Sequence, residues 1–410
     1  MGVATRYAVR SVGRNFRRTA LSIVGIGIGC ALALFTESLN RGRDELFARM
    51  AAFSGTGHLR VVPGGWRERR DPRLRLADWR ADFDAAQALS GVAAVTRRAR
   101  AQVLLAMGSH VVPVEMVGVD PANEPRTYRF VQRVQQGRYL SPGERGSAVI
   151  GKAIAERLHA ELDDDVLATA VGKSGAIESV MLRIVGVVAT GSEEIDAGIC
   201  QVALDDVERL TALGGAGELV VMLADWRGSD AARAALAPRV ARGDEVLVWG
   251  EIAPELKGHI EQDRTTSRFV SYVILLIVLL GVASAQLAAV LERRREFAVL
   301  SAIGMGVGTM VRLVLQEALA LGLAGGIVGL AIGGPIVWRF ARVGLDFRKY
   351  MGASYTFSGV VIEPVLYGDF GAWIVAYVLV IAIGATMLAS LYPAWFAAKT
   401  DPAVALRVAQ

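Results

Sequence analysis

Two cysteines and four histidines are all that 410 residues hold of the side chains that most often bind metals or cross-link a fold. Cys30 falls inside a long apolar run and Cys200 far from it, so the two cannot pair and no disulfide framework is available. His58, His110, His159 and His259 are scattered, with no i,i+4 pair and no cysteine cluster beside them, which argues against a zinc-type site. No serine stands in a nucleophile elbow. Gly172-Lys173-Ser174 imitates the end of a phosphate-binding loop, but the upstream position that must be glycine is Leu167, and a β-type stretch follows where a helix is required. A hairpin loop is the expectation there. Asp163-Asp164-Asp165 and Glu193-Glu194 read as solvated turns. These absences leave no expected enzyme, metal or cofactor site in this polypeptide.

What the chain has in excess is apolar length. A mean hydropathy of +0.39 with 53% hydrophobic residues is too apolar for a soluble protein, yet 21% charged residues is too many for a compact bundle of spans. Thr19–Thr36, Phe269–Leu291, Leu313–Trp338 and Gly371–Phe396 are four runs long enough to cross hydrocarbon, uncharged except for Glu317. The expected organisation is an integral membrane α-helical bundle with a large α+β extracytoplasmic domain between helices one and two. Its pieces are a cytoplasmic amphipathic helix (1–18), spans at 19–38, 267–291, 312–338 and 371–396, the domain at 39–266, a cytoplasmic segment at 292–311, an outer loop at 339–370 and a tail at 397–410. Gly29-Cys30 resembles a lipoprotein cleavage site, but the apolar run continues through Phe35, and an uncleaved anchor is the expectation.

Arg6, Arg10, Arg14, Arg17 and Arg18 precede the first span without an acidic residue, which places the N-terminus in the cytoplasm. Four spans return the C-terminus there, and Arg293, Arg294, Arg295 and Arg312 then lie inside as well. Arg339, Arg342, Arg348 and Lys349 fall outside, against the trend. Val9, Val12 and Phe16 recur at helical spacing among the N-terminal arginines, as in a helix lying on the inner surface. The net charge of +5 needs no nucleic acid; anionic lipid headgroups account for it.

Between the first two spans, β-type runs occur at His58–Val62, Ala101–Met107, Val111–Val119, Val180–Val188, Cys200–Leu204, Leu219–Leu223 and Val246–Trp249. Helical patterns occur at Leu76–Leu89, Lys152–Leu158, Asp205–Leu213 and Ser229–Arg242, with Asp205 and Ser229 where an N-cap stands. About 225 residues suffice for two subdomains, with 145–215 inserted into a unit built from 40–140 and 216–265. In the spans, Gly25, Gly29, Gly322 and Gly326, with Gly325, Gly329 and Gly333, repeat at four-residue spacing, which lets helices approach closely. Glu317 near the start of the third span is expected to contact another helix or take part in coupling.

Glu292-Arg293-Arg294-Arg295-Glu296-Phe297-Ala-Val-Leu300-Ser-Ala-Ile-Gly304-Met305 is a charged amphipathic segment between two spans, placed to press on a soluble partner. Four stretches carry a family resemblance: Arg17 to Gly29, Glu292 to Gly304, Gln316-Glu317 with Gly322 to Gly334, and Pro393 to Arg407. In this order, around one large outer domain, they resemble permeases of the MacB/LolC/FtsX superfamily of ABC transporters. The resemblance implies a permease dimer, of identical or related chains, driven by a separate cytoplasmic ATPase dimer that holds ATP and Mg. Glu292 to Met305 is the segment it implies for ATPase contact, and motion would pass along the second span to the outer domain.

Val185-Gly186 to Asp196, Val117 to Pro121 and Gly137 to Leu140 resemble the lipoprotein-releasing permeases in particular. That branch implies extraction of lipoproteins from the bacterial inner membrane, with a periplasmic chaperone or adaptor. Efflux of amphiphiles or peptides and FtsX-like signalling to a cell-wall hydrolase are the alternatives. The Gly172–Ser179 loop is short for the projecting hook with which LolC recruits a chaperone. By family geometry, substrate would lie near Phe35, Leu39, Leu46, Phe269, Tyr272 and Val273. The topology is testable directly: alkaline phosphatase fused within 40–266 should be active and fused near position 300 inactive. The opposite pattern would invert the orientation.

Overall fold

The computed structural model describes residues 16–351, 355–357, 360–362 and 365–398. The amphipathic N-terminal stretch around Val9 and Val12, and the stretch from Asp401 to Arg407, lie outside the described residues. The chain divides into two compact units. One comprises Met1–Asp44, Glu261–Leu345 and Leu366–Gln410; the other comprises Glu45–Ile260 and Asp346–Val365.

Four long helices build the first unit: α1 (Phe16–Ala51), α6 (Pro254–Glu292), α8 (Val307–Val343) and α9 (Trp373–Ala398), each long and apolar enough to cross a membrane. Between α6 and α8 lies the short α7 (Arg294–Ala302). The first three long helices outrun the expected spans, because hydropathy detects only the hydrocarbon stretch while the helical backbone continues past it. The continuations carry charge pairs instead of apolar residues. Arg41 reaches Glu37 one turn back at 2.8 Å, and Arg264 on α6 reaches Asp44 on α1 at 2.9 Å. Arg339 and Arg342 thus belong to the last turns of α8.

Ile26, Cys30, Leu34, Val282, Leu321, Val337, Val378 and Ala382 form the core of this bundle. Its helices meet through glycine. A side chain at Gly29 would strike Val278, one at Gly322 would strike Thr386, and one at Gly326 would come within 3.2 Å of Ala382. Gly325, Gly329 and Gly333 lie against Ile26, Cys30 and Ala31 in the same way. Gly25 does not take part: nothing lies within 4 Å of where its Cβ would be. Gly27, facing Val328 and Gly329, fills that role, because the face of α1 turned to α8 is set by Gly27, Cys30 and Ala31.

The outer unit is a ten-stranded sheet with helices packed on it. Its strands are β1 (Leu59–Pro63), β2 (Val92–Met107), β3 (His110–Val119), β4 (Val134–Gly137), β5 (Ser147–Gly151), β6 (Asp165–Val171), β7 (Ile177–Val188), β8 (Cys200–Ala203), β9 (Glu218–Leu223) and β10 (Asp244–Val248). The longer helices are α2 (Trp79–Gln87), α3 (Lys152–Leu158), α4 (Leu204–Thr211) and α5 (Ser229–Leu236). Pairings β2–β3–β8–β5–β7–β6 return to β2 and close a ring. Alternate residues point into it: Ala99, Ala101, Val103 and Leu105 from β2, Val112, Val114 and Met116 from β3, Val166, Ala168 and Ala170 from β6. The first half of β2 instead pairs with β9, in a layer with β1 and β10 covered by α2 and α5.

The expected boundary at residue 145 is therefore displaced. Residues 145–215 supply four strands of the ring, but closure needs β2 and β3, so the two cores divide within β2 near Ala99. The expected caps move too. α4 starts at Leu204, and the neighbouring Asp206 is buried, accepting from the Gly146 N–H at 2.8 Å. α5 is capped by Gly228 and ends at Leu236, short of Arg242, because Pro238 has no N–H to continue it. Gly172-Lys173-Ser174 is the hairpin loop between β6 and β7.

A charge cluster is buried where the layers join. Arg98 meets Glu124 at 2.8 Å, Arg60 meets Glu218 at 3.1 Å, and Arg100 bridges Glu218 and Glu115 at 3.1 and 2.6 Å. Burial pushes the Glu218 carboxyl up, but Arg100, Arg60 and Arg98 outweigh it and hold it down at about 2. The carbonyl of Gly55, in the turn Ala52–Thr56 after α1, accepts from Arg98 at 2.7 Å and Arg60 at 2.8 Å. Gly55 sits at φ +110°, which few other residues adopt.

A second pair, the buried Asp82 and the half-buried Asp244, generates a prediction. Asp82 on α2 accepts from the Ala241 N–H at 2.7 Å, and the Asp244 carboxylate beside it accepts from the Ala77 N–H at 2.9 Å. Burial, and then Asp82, push the Asp244 carboxyl up to about 7. The folded state holds this proton more tightly than the unfolded chain, in which Asp titrates near about 4. Its stabilisation is complete below that value and is lost as pH rises through about 7. The thermal midpoint of the outer unit should fall between pH 5 and pH 8, and Asp244→Asn should flatten that fall; an unchanged slope would remove the shared proton.

Candidate coupling site

The residues between α6 and α8 sort into two faces. Phe297 and Ala298 are buried, with Phe297 packed among Val290, Leu313, Val314, Ala394 and Ala397 and Leu300 against the same cluster. These side chains anchor α7 to α8 and α9. α7 ends at Ala302; just beyond it the φ of +95° at Gly304 turns the chain, and the Met305 N–H closes the turn on the Leu300 carbonyl at 3.0 Å. The opposite face carries Arg295, Val299 and Ile303, all exposed, with Ile303 79% accessible, while the exposed Glu292 ends α6 just before it and borders the cavity beside Arg293.

Of the three consecutive arginines, Arg293 turns inward. Its guanidinium donates to Glu317 on α8 at 2.9 Å and to Glu296 at 3.1 Å, and lies 5.4 Å from the Phe297 ring. A lone carboxylate within a span costs about 2.5–3.5 kcal/mol at mid-membrane; pairing with Arg293 offsets that here. Beside the pair is a cavity of about 50 Å3, lined by Ser22, Gln286, Glu292, Arg293 and Glu317 among others, so polar groups from α1, α6 and α8 converge there. Room for a water is consistent with that lining. Arg294 is half-buried.

Sequence reasoning grouped Glu292 to Met305 as one contact set; the fold divides it into anchors (Phe297, Leu300), a pin (Arg293, Glu296, Glu317) and an exposed face. Val299 and Ile303, four residues apart opposite Phe297, were not singled out, although helical spacing alone places them together. Gln286, Ser22 and Gly27 were missed for want of any local signal.

The residues expected near substrate do not share one surface. Phe269 and Tyr272 on α6 are 69% and 67% exposed, and Val273 is exposed beside them. Leu39 is half-buried. Phe35 packs on Phe340 with ring centroids 5.3 Å apart, and Leu46 is buried in the outer unit, so packing removes these two from the exposed set. The stretches resembling lipoprotein-releasing permeases are scaffold. Asp196 caps the loop after β7, accepting from Thr190 N–H and Oγ1 at 2.9 and 2.6 Å, and Arg138 N–H donates to the Val185 carbonyl at 2.9 Å.

The MacB-like periplasmic core domain family matches residues 19–239, and the FtsX-like permease C-terminal family matches residues 268–402, spanning the helices around the pin. The chain is an ABC-transporter permease of the MacB/LolC/FtsX type. It is similar to the lipoprotein-releasing system transmembrane protein LolC of Neisseria meningitidis, 26% identical over 95% of this chain and 94% of the relative. It is also similar to the pyoverdine export ATP-binding/permease protein PvdT of Pseudomonas fluorescens, 26% identical over 89% of this chain and 56% of that protein. The macrolide export ATP-binding/permease protein MacB of Shewanella oneidensis is 25% identical over 84% and 54%. Among solved structures, the periplasmic region of MacB from Actinobacillus actinomycetemcomitans is similar at a TM-score of 0.36 and 15% identity, covering 50% of this chain and 94% of that one. The permease is a multi-pass membrane protein with four candidate spans among its described residues.

The pin is testable by charge exchange. Glu317→Ala and Arg293→Ala should each lower the thermal midpoint of the purified permease, and Arg293→Glu with Glu317→Arg should recover much of the loss. The coupling expected from the cycle is about 1–3 kcal/mol; strict additivity would mean the two residues act separately.

Proposed function

We propose that this permease relays ATP hydrolysis by a separate cytoplasmic ATPase to its outer domain, and that its work is the extraction of lipoproteins from the bacterial inner membrane. The observation that carries this reading is the likeness to LolC over nearly the full length of both chains. In the proposed cycle the ATPase seats on Glu292 and on the exposed face that follows it, at Arg295, Val299 and Ile303. Phe297 and Leu300 make α7 move as one body with α8 and α9, and Arg293–Glu317 ties the start of that movement to α6. The second permease of the pair is either an identical or a related chain. Both termini lie in the cytoplasm, and ATP and Mg reside in the ATPase.

Efflux of an amphiphile with a periplasmic adaptor is the second reading. It is favoured by the likeness to the PvdT and MacB exporters and by the short turn between Val171 and Ile177. Native mass spectrometry of the gently purified permease separates the two. An ATPase together with a triacylated lipoprotein supports extraction, whereas an ATPase with an adaptor and no acylated ligand overturns it in favour of efflux. Ile303→Asp should lose the ATPase from either complex while the permease still inserts; an undiminished complex would move the contact elsewhere.

A further inference from the structure

A groove of about 340 Å3 runs along the surface of the membrane unit. Gly308, Val311, Arg312, Leu315 and Leu319 line it from α8, Met387 closes it from α9, and Gln316 stands at its side. Positions 308, 312, 315 and 319 recur every three or four residues and so lie on one face of the helix. From 308 to 319 that face is roughly 16 Å long at 1.5 Å per residue, enough for most of one acyl chain. A Cβ at Gly308 would meet nothing within 4 Å, so this end of the groove is open.

Charge at the groove is one-sided. Arg312 is exposed, and among the described residues no carboxylate pairs with it. The rest of the lining, apart from Gln316, is apolar. A cation at the rim of an apolar groove in a membrane helix is complementary to a molecule with an anionic head and a hydrocarbon tail. Helix association in membranes prefers small residues. The close-packing glycines of α8, Gly322 to Gly333, already face α1 and α9, which leaves the bulkier Leu315, Leu319 and Met387 for the groove.

We propose that this groove binds an anionic phospholipid, with its phosphate on Arg312 and one acyl chain along Leu315 and Leu319 against Met387. The site begins within a turn of Gly306, immediately after the segment read as the ATPase contact, so an occupant borders the moving part. The inference rests on α8 spanning the membrane and is independent of which substrate the permease handles.

The test is photolabelling of the full permease in vesicles, using phosphatidylglycerol or matched phosphatidylcholine with a diazirine in the acyl chain, followed by peptide mapping. Adducts are expected on the peptides carrying Val311 to Leu319 and Met387, severalfold more with phosphatidylglycerol. That excess should vanish in Arg312→Gln and return in Arg312→Lys. Equal labelling by the two lipids, or an excess that survives Arg312→Gln, overturns the proposal. Chain-to-chain cross-links through residues 311–319 with no lipid adducts there would assign the groove to a second copy and overturn it as well.

Discussion

Hydrocarbon offers no hydrogen bond to a backbone N–H or C=O, and the membrane unit follows from that constraint. Every crossing must be a helix, and helices in lipid gain little from burying more apolar surface, so they associate by close approach. Gly27, Gly29, Gly322, Gly325, Gly326, Gly329 and Gly333 are where that approach occurs. The same constraint makes Glu317 informative. A carboxylate in the third span is unfavourable unless it is neutralised, and Arg293 neutralises it from the end of the second. The pair joins two spans at the point where a short helix leaves them.

In the outer unit a different balance holds. The ring of six strands is filled by alternating small and branched apolar residues, while its junction with the neighbouring layer is occupied by three arginines and three glutamates. Such a cluster contributes little to stability against an apolar alternative, but removing a fully buried member such as Glu124 costs about 3–5 kcal/mol because Arg98 is left charged and buried. Both Arg60 and Arg98 grip the Gly55 carbonyl, so the turn that follows α1 is held by the cluster.

The family-bearing stretches illustrate what a motif means physically. Thr190 to Asp196 is a loop capped by its own carboxylate, Gly137 and Gly186 permit contact with neighbouring backbone, and Gly304 terminates α7 in a left-handed turn. They keep loops and helix ends in place, which is why they identify a family of machines more readily than a substrate.

Four spans, the outer domain between the first and second, the hairpin at Gly172 and the amphipathic segment at Glu292 were legible because each depends on composition or periodicity within a few turns of chain. Lys152–Leu158 was read to the residue, since its helix is set by local pattern. What depended on distant partners was not legible. Gly25 and Gly27 are indistinguishable until α8 lies against α1, and Phe35 reads as a ligand contact until Phe340 covers it. Arg293, Arg294 and Arg295 are equivalent in sequence, yet only the first reaches Glu317, twenty-four residues away. Sequence alone determined which segments enter the membrane, because solvation acts on each segment separately. Which face of each segment packs, pins or remains open was decided by the tertiary structure, because that choice belongs to pairs of residues that the chain brings together only when folded.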